Sequence, residues 1–141
     1  MAAKKKSAKR PAGKRPAAKR PPARRQPETL RLRSIAPSLT ATDLQRSIAF
    51  YRDVLGFVIG EEWREHGALM GVEVQAGAVT FMLGQDDFAK GRDRQKGVGM
   101  RIYCHTAQDV DRLAAQIKAR GGILDQEPKL MSWGDRVFMI S

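Results

Sequence analysis

The chain has 141 residues, 26 Lys+Arg against 15 Asp+Glu, a single Cys and a formal charge of +11. That length suits one domain with or without a tail, and one Cys excludes an intramolecular disulfide framework or a cysteine-rich zinc site. No apolar run approaches the roughly 20 residues needed to span a bilayer, and the basic N-terminus lacks the apolar stretch of a secretory signal. The expectation is therefore a cytoplasmic protein with no membrane partner.

The charge is confined to one end. Residues 1–27 hold eleven basic groups and no acid: Lys4, Lys5, Lys6, Lys9, Arg10, Lys14, Arg15, Lys19, Arg20, Arg24 and Arg25. The remaining fifteen basic groups are balanced by all fifteen acids. Five of the seven prolines lie in the same stretch, which has no apolar side chain larger than Ala after Met1. Such a composition cannot bury enough surface to offset its ordering entropy, so 1–29 is expected to be a disordered tail. Its chemistry suits nucleic acid phosphates, bound through counterion release without base readout. A merely solubilising extension is the competing reading.

From residue 30 the pattern becomes that of a folded domain. Ser34–Ala41 reads as a strand, and Asp43 as the N-cap of a helix. Leu44, Ile48, Tyr51 and Leu55 recur at helical spacing as one apolar stripe, and Gly56 ends the helix through a positive φ. Phe57–Trp63, Ala68–Val74 and Val79–Leu83 read as three further strands, with a turn at Gly77. Asp86, Asp87 and Asp93, mixed with Lys90, Arg92 and Arg94, read as a charged surface loop.

The pattern then repeats at an offset of 66 residues. Asp43 matches Asp109, Arg46 matches Arg112, Ala49 matches Ala115 and Gly56 matches Gly122. The second copy predicts a strand over Val98–His105, a helix over Ala107–Arg120, and strands over Ile123–Gln126 and Arg136–Ile140. A duplicated unit of this kind gives an α+β fold of paired βαβββ modules. Module one is 34–85, the linker 86–96, and module two 97–141, which lacks its last strand.

The segment Leu39–Gly56, LTATDLQRSIAFYRDVLG, resembles the opening of the vicinal oxygen chelate superfamily. Asp43, Phe50-Tyr51 and Leu55-Gly56-Phe57 match its first half; Asp109-Val110-Asp111, Gly121-Gly122 and Trp133-Gly134 match its second. The superfamily includes glyoxalase I, extradiol dioxygenases, and fosfomycin- and bleomycin-resistance proteins. The resemblance covers roughly 34–141 and implies, in metal-dependent members, a divalent ion held by His, Gln or Glu from equivalent strands. It places the first two ligand positions at Ala36 and Ile102 and the third at Phe81, with Met100 as a shifted alternative. None of these can ligate a hard divalent ion, and the fourth position lies beyond Ser141. No metal or other cofactor is expected.

Period-two alternation puts Ser38, Thr40, Val79, Phe81, Leu83, Met100, Ile102 and Cys104 on the inward face. That face suits an organic ligand held by burial, and the chain is most similar to the metal-free bleomycin-resistance branch. This implies a homodimer that binds a small organic ligand through Ser38, Thr40, Trp63, His66, Phe81, Met100, Ile102 and Trp133. Trp133 is a candidate for stacking on a planar ligand, and Trp63 reads either as the roof of the pocket or as packing under its loop. His66 reads more readily as a solvated loop residue, His105 as structural, and Cys104 as a buried, inert thiol. No catalytic residue stands out. A lyase, isomerase or dioxygenase of the same superfamily with a relocated metal remains the enzymatic alternative.

Overall fold

The computed structural model describes residues 32–141; the expected tail and its eleven basic residues lie outside them. Strand β1 (Ser38–Ala41) leads at once into helix α1 (Leu44–Ala49). The Asp43 carboxylate accepts a hydrogen bond from Arg46 N at 3.0 Å, satisfying one of the orphan donors of the first turn. Leu44 N donates to Gln85 Oε1 at 3.0 Å, tying the helix start to the far end of strand β4 (Val79–Gln85). Past Ala49 the helix widens into a π-helical turn, Phe50–Val54, closed by Leu55 N donating to Phe50 O at 3.0 Å.

Strands β2 (Val58–Glu65), β3 (Ala68–Ala76) and β4 follow as an antiparallel meander. β1 adds in parallel to the outer edge of β4, giving the order β1-β4-β3-β2. The apolar stripe of α1 needs a cover, and one sheet face supplies it. Leu44 and Ile48 pack with Val72, Val74, Phe81 and Leu83, all buried, and with Ala41. Tyr51 and Phe57 extend this core: Phe57 stacks on Phe81 at 5.6 Å between ring centroids, and Tyr51 meets both edge-on at 5.4 and 6.1 Å. Burial pushes the Tyr51 hydroxyl above the usual tyrosine range, with the Cys104 thiol adding to the shift.

The second module repeats the first only in part. Asp109 caps helix α2 (Val110–Ala119) by accepting from Arg112 N at 2.8 Å, as Asp43 does for α1. The helix packs on a hairpin of β5 (Leu124–Leu130) and β6 (Arg136–Ile140). Pro128, which has no N–H to donate, sits where the β5–β6 pairing is irregular.

The strand expected over Val98–His105 does not form. Gly97–Met100 is a turn, closed by Met100 N donating to Gly97 O at 3.2 Å, and no residue of 98–105 is paired in a sheet. In module one β1 pairs only with β4, the third strand after its helix. Only two strands follow α2 among the described residues, so this segment has no equivalent partner. Its side chains are exposed accordingly. Cys104 is an exposed thiol rather than a buried one, and His105 is exposed too.

The two helix-ending glycines also differ from expectation. Gly56 has φ +81°, but its conformational counterpart is Gly121, with φ +89°, and not Gly122. The π-helical turn accounts for the slip, because it inserts one extra residue between cap and stop in the first module.

The linker is more than a charged surface loop. Asp86 is only 4% exposed. It meets Lys96 Nζ at 2.5 Å and Arg94 Nη2 at 3.3 Å, and accepts from Phe88 N at 3.1 Å. Lys96 Nζ also donates to Thr42 Oγ1 at 2.5 Å, while Asp86 N donates to Ala41 O at 2.8 Å. The end of β4, the linker and the β1–α1 junction are thus clasped together. Lys96, then the Phe88 amide and Arg94, hold the Asp86 carboxyl at about 2 against the opposing effect of burial.

Candidate functional site

The helix covers one face of the four-stranded sheet, so the candidate site is the other face. Side-chain direction follows from the register. Leu39 is level with Leu83 and both belong to the helix side, so Ser38, level with Met82, and Thr40, level with Gly84, point to the open side. On β3 and β4 the pairs Glu73–Met82 and Gln75–Thr80 lie on that open side, while Val72–Leu83 and Val74–Phe81 lie beneath.

This corrects the sequence reading of β4. Phe81, expected beside Ser38 and Thr40 on the ligand face, is buried in the helix-side core, and Leu83 with it. A one-residue change of phase reverses every side chain of a strand. The open-face residues of β4 are therefore Thr80, Met82 and Gly84. The signal was present in VTFMLGQ: Phe81 and Leu83 form the larger apolar pair and hence the better core face.

A cavity of about 270 Å³ lies on this open face, lined by Ser38, Trp63, Met70, Gly71, Met82, Leu83 and Gly84. The sequence reading anticipated Ser38 and Trp63 and missed Met70, Met82 and the two glycines. Trp63 is opposite Gly71 in the β2–β3 pairing and is 37% exposed, so its indole forms part of the wall. Thr40 shares the open face without lining the cavity. His66 occupies the exposed β2–β3 turn with φ +49°, away from the lining. Met100 and Ile102, 52% and 40% exposed, belong to the unpaired segment after the linker, and Trp133, 59% exposed, to the β5–β6 turn. The structure thus brings Ser38 and Trp63 together at one cavity and leaves the other expected residues outside its lining.

The donor set does not fit a divalent metal ion. Ala36 lies before β1, and the open-face neighbours of Ser38 offer a thioether, hydroxyls and backbone. Glu73 is the one carboxylate on the β3 and β4 pairs of this face, and it accepts a hydrogen bond from Gln75 Nε2. Among the described residues no three His, Cys, Asp or Glu side chains cluster closely enough to hold an ion. Also among them, no helix is long and apolar enough to cross a membrane.

Residues 31–141 match the family model described as Glyoxalase/Bleomycin resistance protein/Dioxygenase superfamily. A search of curated protein sequences found no match. Among solved structures, the chain is similar to a member of that superfamily from Sphaerobacter thermophilus, with 22% identity and a TM-score of 0.58 over 77% of this chain and 88% of that one. A bleomycin resistance determinant encoded on transposon Tn5 aligns at 19% identity and TM-score 0.53, covering 74% and 84% of the two chains. Lactoylglutathione lyase from Agrobacterium tumefaciens aligns at 24% and 0.53, covering 77% and 85%. A resistance protein and a lyase sharing one architecture carry the fold to this chain, not a chemistry.

Proposed function

We propose that this chain, which belongs to the glyoxalase/bleomycin resistance protein/dioxygenase superfamily, binds a small organic ligand without a metal. The observation that carries this reading is the lining of the open-face cavity: one tryptophan, two methionines, two glycines, a single serine hydroxyl and the backbone of the otherwise buried Leu83. Such a surface gains free energy from apolar burial and sulfur–aromatic contact, and has one polar group for orientation. It presents no nucleophile–base pair and no cluster of metal donors, so binding or sequestration suits it better than lyase or dioxygenase chemistry. Titrating a panel of neutral organics while following Trp fluorescence and melting temperature tests this directly. Saturable binding is expected. A flat response across the panel, or stoichiometric metal carried through purification and needed for binding, overturns the reading.

The functional unit we infer is a homodimer. Val98, Met100, Ile102 and Tyr103 expose their side chains on a segment that makes no sheet pairing. A second copy covering them removes that apolar surface from water. Light scattering should give twice the chain mass of 15.7 kDa, and a monomer at micromolar concentration sinks this part.

One observation favours a second, compatible activity. The eleven basic groups of residues 1–27, free of any acid, account for the whole net charge. We read them as a nucleic acid contact of the phosphate-neutralising kind. Affinity for duplex DNA or RNA should fall steeply with salt and vanish when 1–27 is deleted; salt-insensitive binding, or none, overturns it.

A further inference from the structure

Resting on the homodimer reading, we propose that two copies of the chain join by antiparallel backbone pairing of their Met100–Cys104 stretches, with Ile102 on the two-fold axis.

The stretch has what a strand needs except a neighbour. The turn closed by Met100 N on Gly97 O ends at Met100, and from there to Thr106 the chain runs without turn or bend. No residue between them has a positive φ. Side chains alternate, with Met100, Ile102 and Cys104 on one side and Arg101, Tyr103 and His105 on the other. The first side is turned towards module one, since the Cys104 thiol acts on the Tyr51 hydroxyl. Yet no residue of the stretch is paired in a sheet. An extended backbone with its N–H and C=O groups unpaired is a template for another chain.

A second copy is the occupant because the stretch is complementary to itself. In an antiparallel pair with its two-fold axis normal to the sheet, opposed residues lie on the same face. With Ile102 on the axis, Ile102 opposes Ile102 of the second copy, Met100 opposes Cys104, and Arg101 opposes Tyr103. Met100 and Ile102, 52% and 40% exposed in the single chain, are then covered by apolar side chains. Arg101 meets an aromatic ring that is 63% exposed without it, a cation–π pair on the outer face.

Moving the axis by one residue spoils the match. Centred on Arg101, the pairing sets two guanidinium groups directly opposite each other, which is destabilising. Centred on Tyr103, it sets Arg101 against His105 and Met100 against Thr106, so both the cation–π contact and the apolar one are lost. The contact uses the same stretch of each copy and therefore closes at two.

The test uses the full chain carrying Cys104→Ser, with Arg101→Cys, Ile102→Cys or Tyr103→Cys as its one thiol, in a glutathione redox buffer. Directly opposed Cα atoms are about 4.5–5.5 Å apart, within reach of a disulfide, whereas diagonal neighbours at about 7–8 Å are not. Ile102→Cys should thus give an interchain disulfide and the other two none. In the unmodified chain, alternate amides of 100–104 should exchange about tenfold more slowly at concentrations where light scattering finds the dimer than where it finds the monomer. Tyr103→Arg should weaken the dimer severalfold, and adding Arg101→Glu should restore it. Crosslinking through residue 101 or 103 instead of 102, or exchange equally fast in both states, overturns the strand pairing and leaves the homodimer standing. So does exchange already slow in the monomer, which would mean that the stretch pairs within its own chain. A monomer at micromolar concentration overturns both.

Discussion

Gly122 of the second module lies against Val54 of the first: a Cβ at Gly122 would stand 2.8 Å from Val54 Cγ1. It would also come within 2.5 Å of Ile117 Cγ2 and 3.0 Å of Ile117 O, so the end of α1 and the end of α2 meet with no room for a methyl group. The contact is reciprocal, since Gly56 of the first module faces the Arg120 guanidinium of the second. Gly122→Ala should accordingly cost about 1–3 kcal/mol, the usual effect of overpacking a filled site. Thermal or denaturant unfolding reads this. Adding Val54→Ala should recover only part of the loss, because Ile117 remains in the way; full recovery would show that the Val54 contact alone matters.

The Asp86 clasp ties stability to pH at the acid end. Its folded carboxyl sits at about 2, below the ordinary range of an aspartate. The contribution is therefore complete above the unfolded value and is lost as pH falls through the interval between the two. Asp86→Asn should lower the melting temperature by several degrees at neutral pH, because it leaves Lys96 and Arg94 without their buried partner. The variant should also unfold with less dependence on pH between about 4 and 2 than the parent. Parallel acid-melting curves for the two proteins would contradict this account.

Gly71→Ala tests where the Trp63 wall of the cavity rests. The new methyl must displace Trp63, whose Cε3 would be 3.0 Å away, since Leu83 O on the other side is backbone. Emission from Trp63, isolated by Trp133→Phe, should shift to the red as the indole moves into water. Gly84→Ala in the same background should leave the emission where it is. A Gly71→Ala spectrum identical to the parent's would mean that the indole does not rest on β3.

The paired caps allow a comparison within one chain. Asp43→Ala and Asp109→Ala each remove a carboxylate that accepts from the third residue of its helix, at 3.0 and 2.8 Å respectively. Each should cost about 1 kcal/mol. Leu44 N retains its hydrogen bond to Gln85 Oε1 when Asp43 is replaced, and no equivalent bond to Val110 N appears among the described residues. Asp109→Ala should be the more damaging of the two, which urea unfolding of both variants can decide.

Much of this architecture was legible because it is written in local chemistry. Asp43 and Asp109 announce their helices through a side chain that reaches only three residues, and the Leu44–Ile48–Tyr51 stripe names the buried face of α1 without reference to its partner. The 66-residue repeat adds the two-module plan, since equal local signals recur in equal order. Of the candidate site, Ser38 and Trp63 were legible and the rest of the lining was not. Phase was the obstacle: alternation along VTFMLGQ says that Phe81 and Met82 face opposite ways, and the larger apolar pair Phe81 and Leu83 hints at the core face, but only the pairing of β4 with β1 and β3 fixes it.

The amino-acid sequence by itself thus determined the helices, the repeat, and the gathering of all net charge into residues 1–27. Tertiary structure alone decided three things. Residues 98–105 form no strand, because a strand exists only with a partner to receive its hydrogen bonds. The helix stop fell on Gly121 instead of Gly122, because the π-helical turn lengthens only the first helix. Gly84 and Gly71 came side by side across the sheet, because register is a property of paired strands, and no single strand contains it.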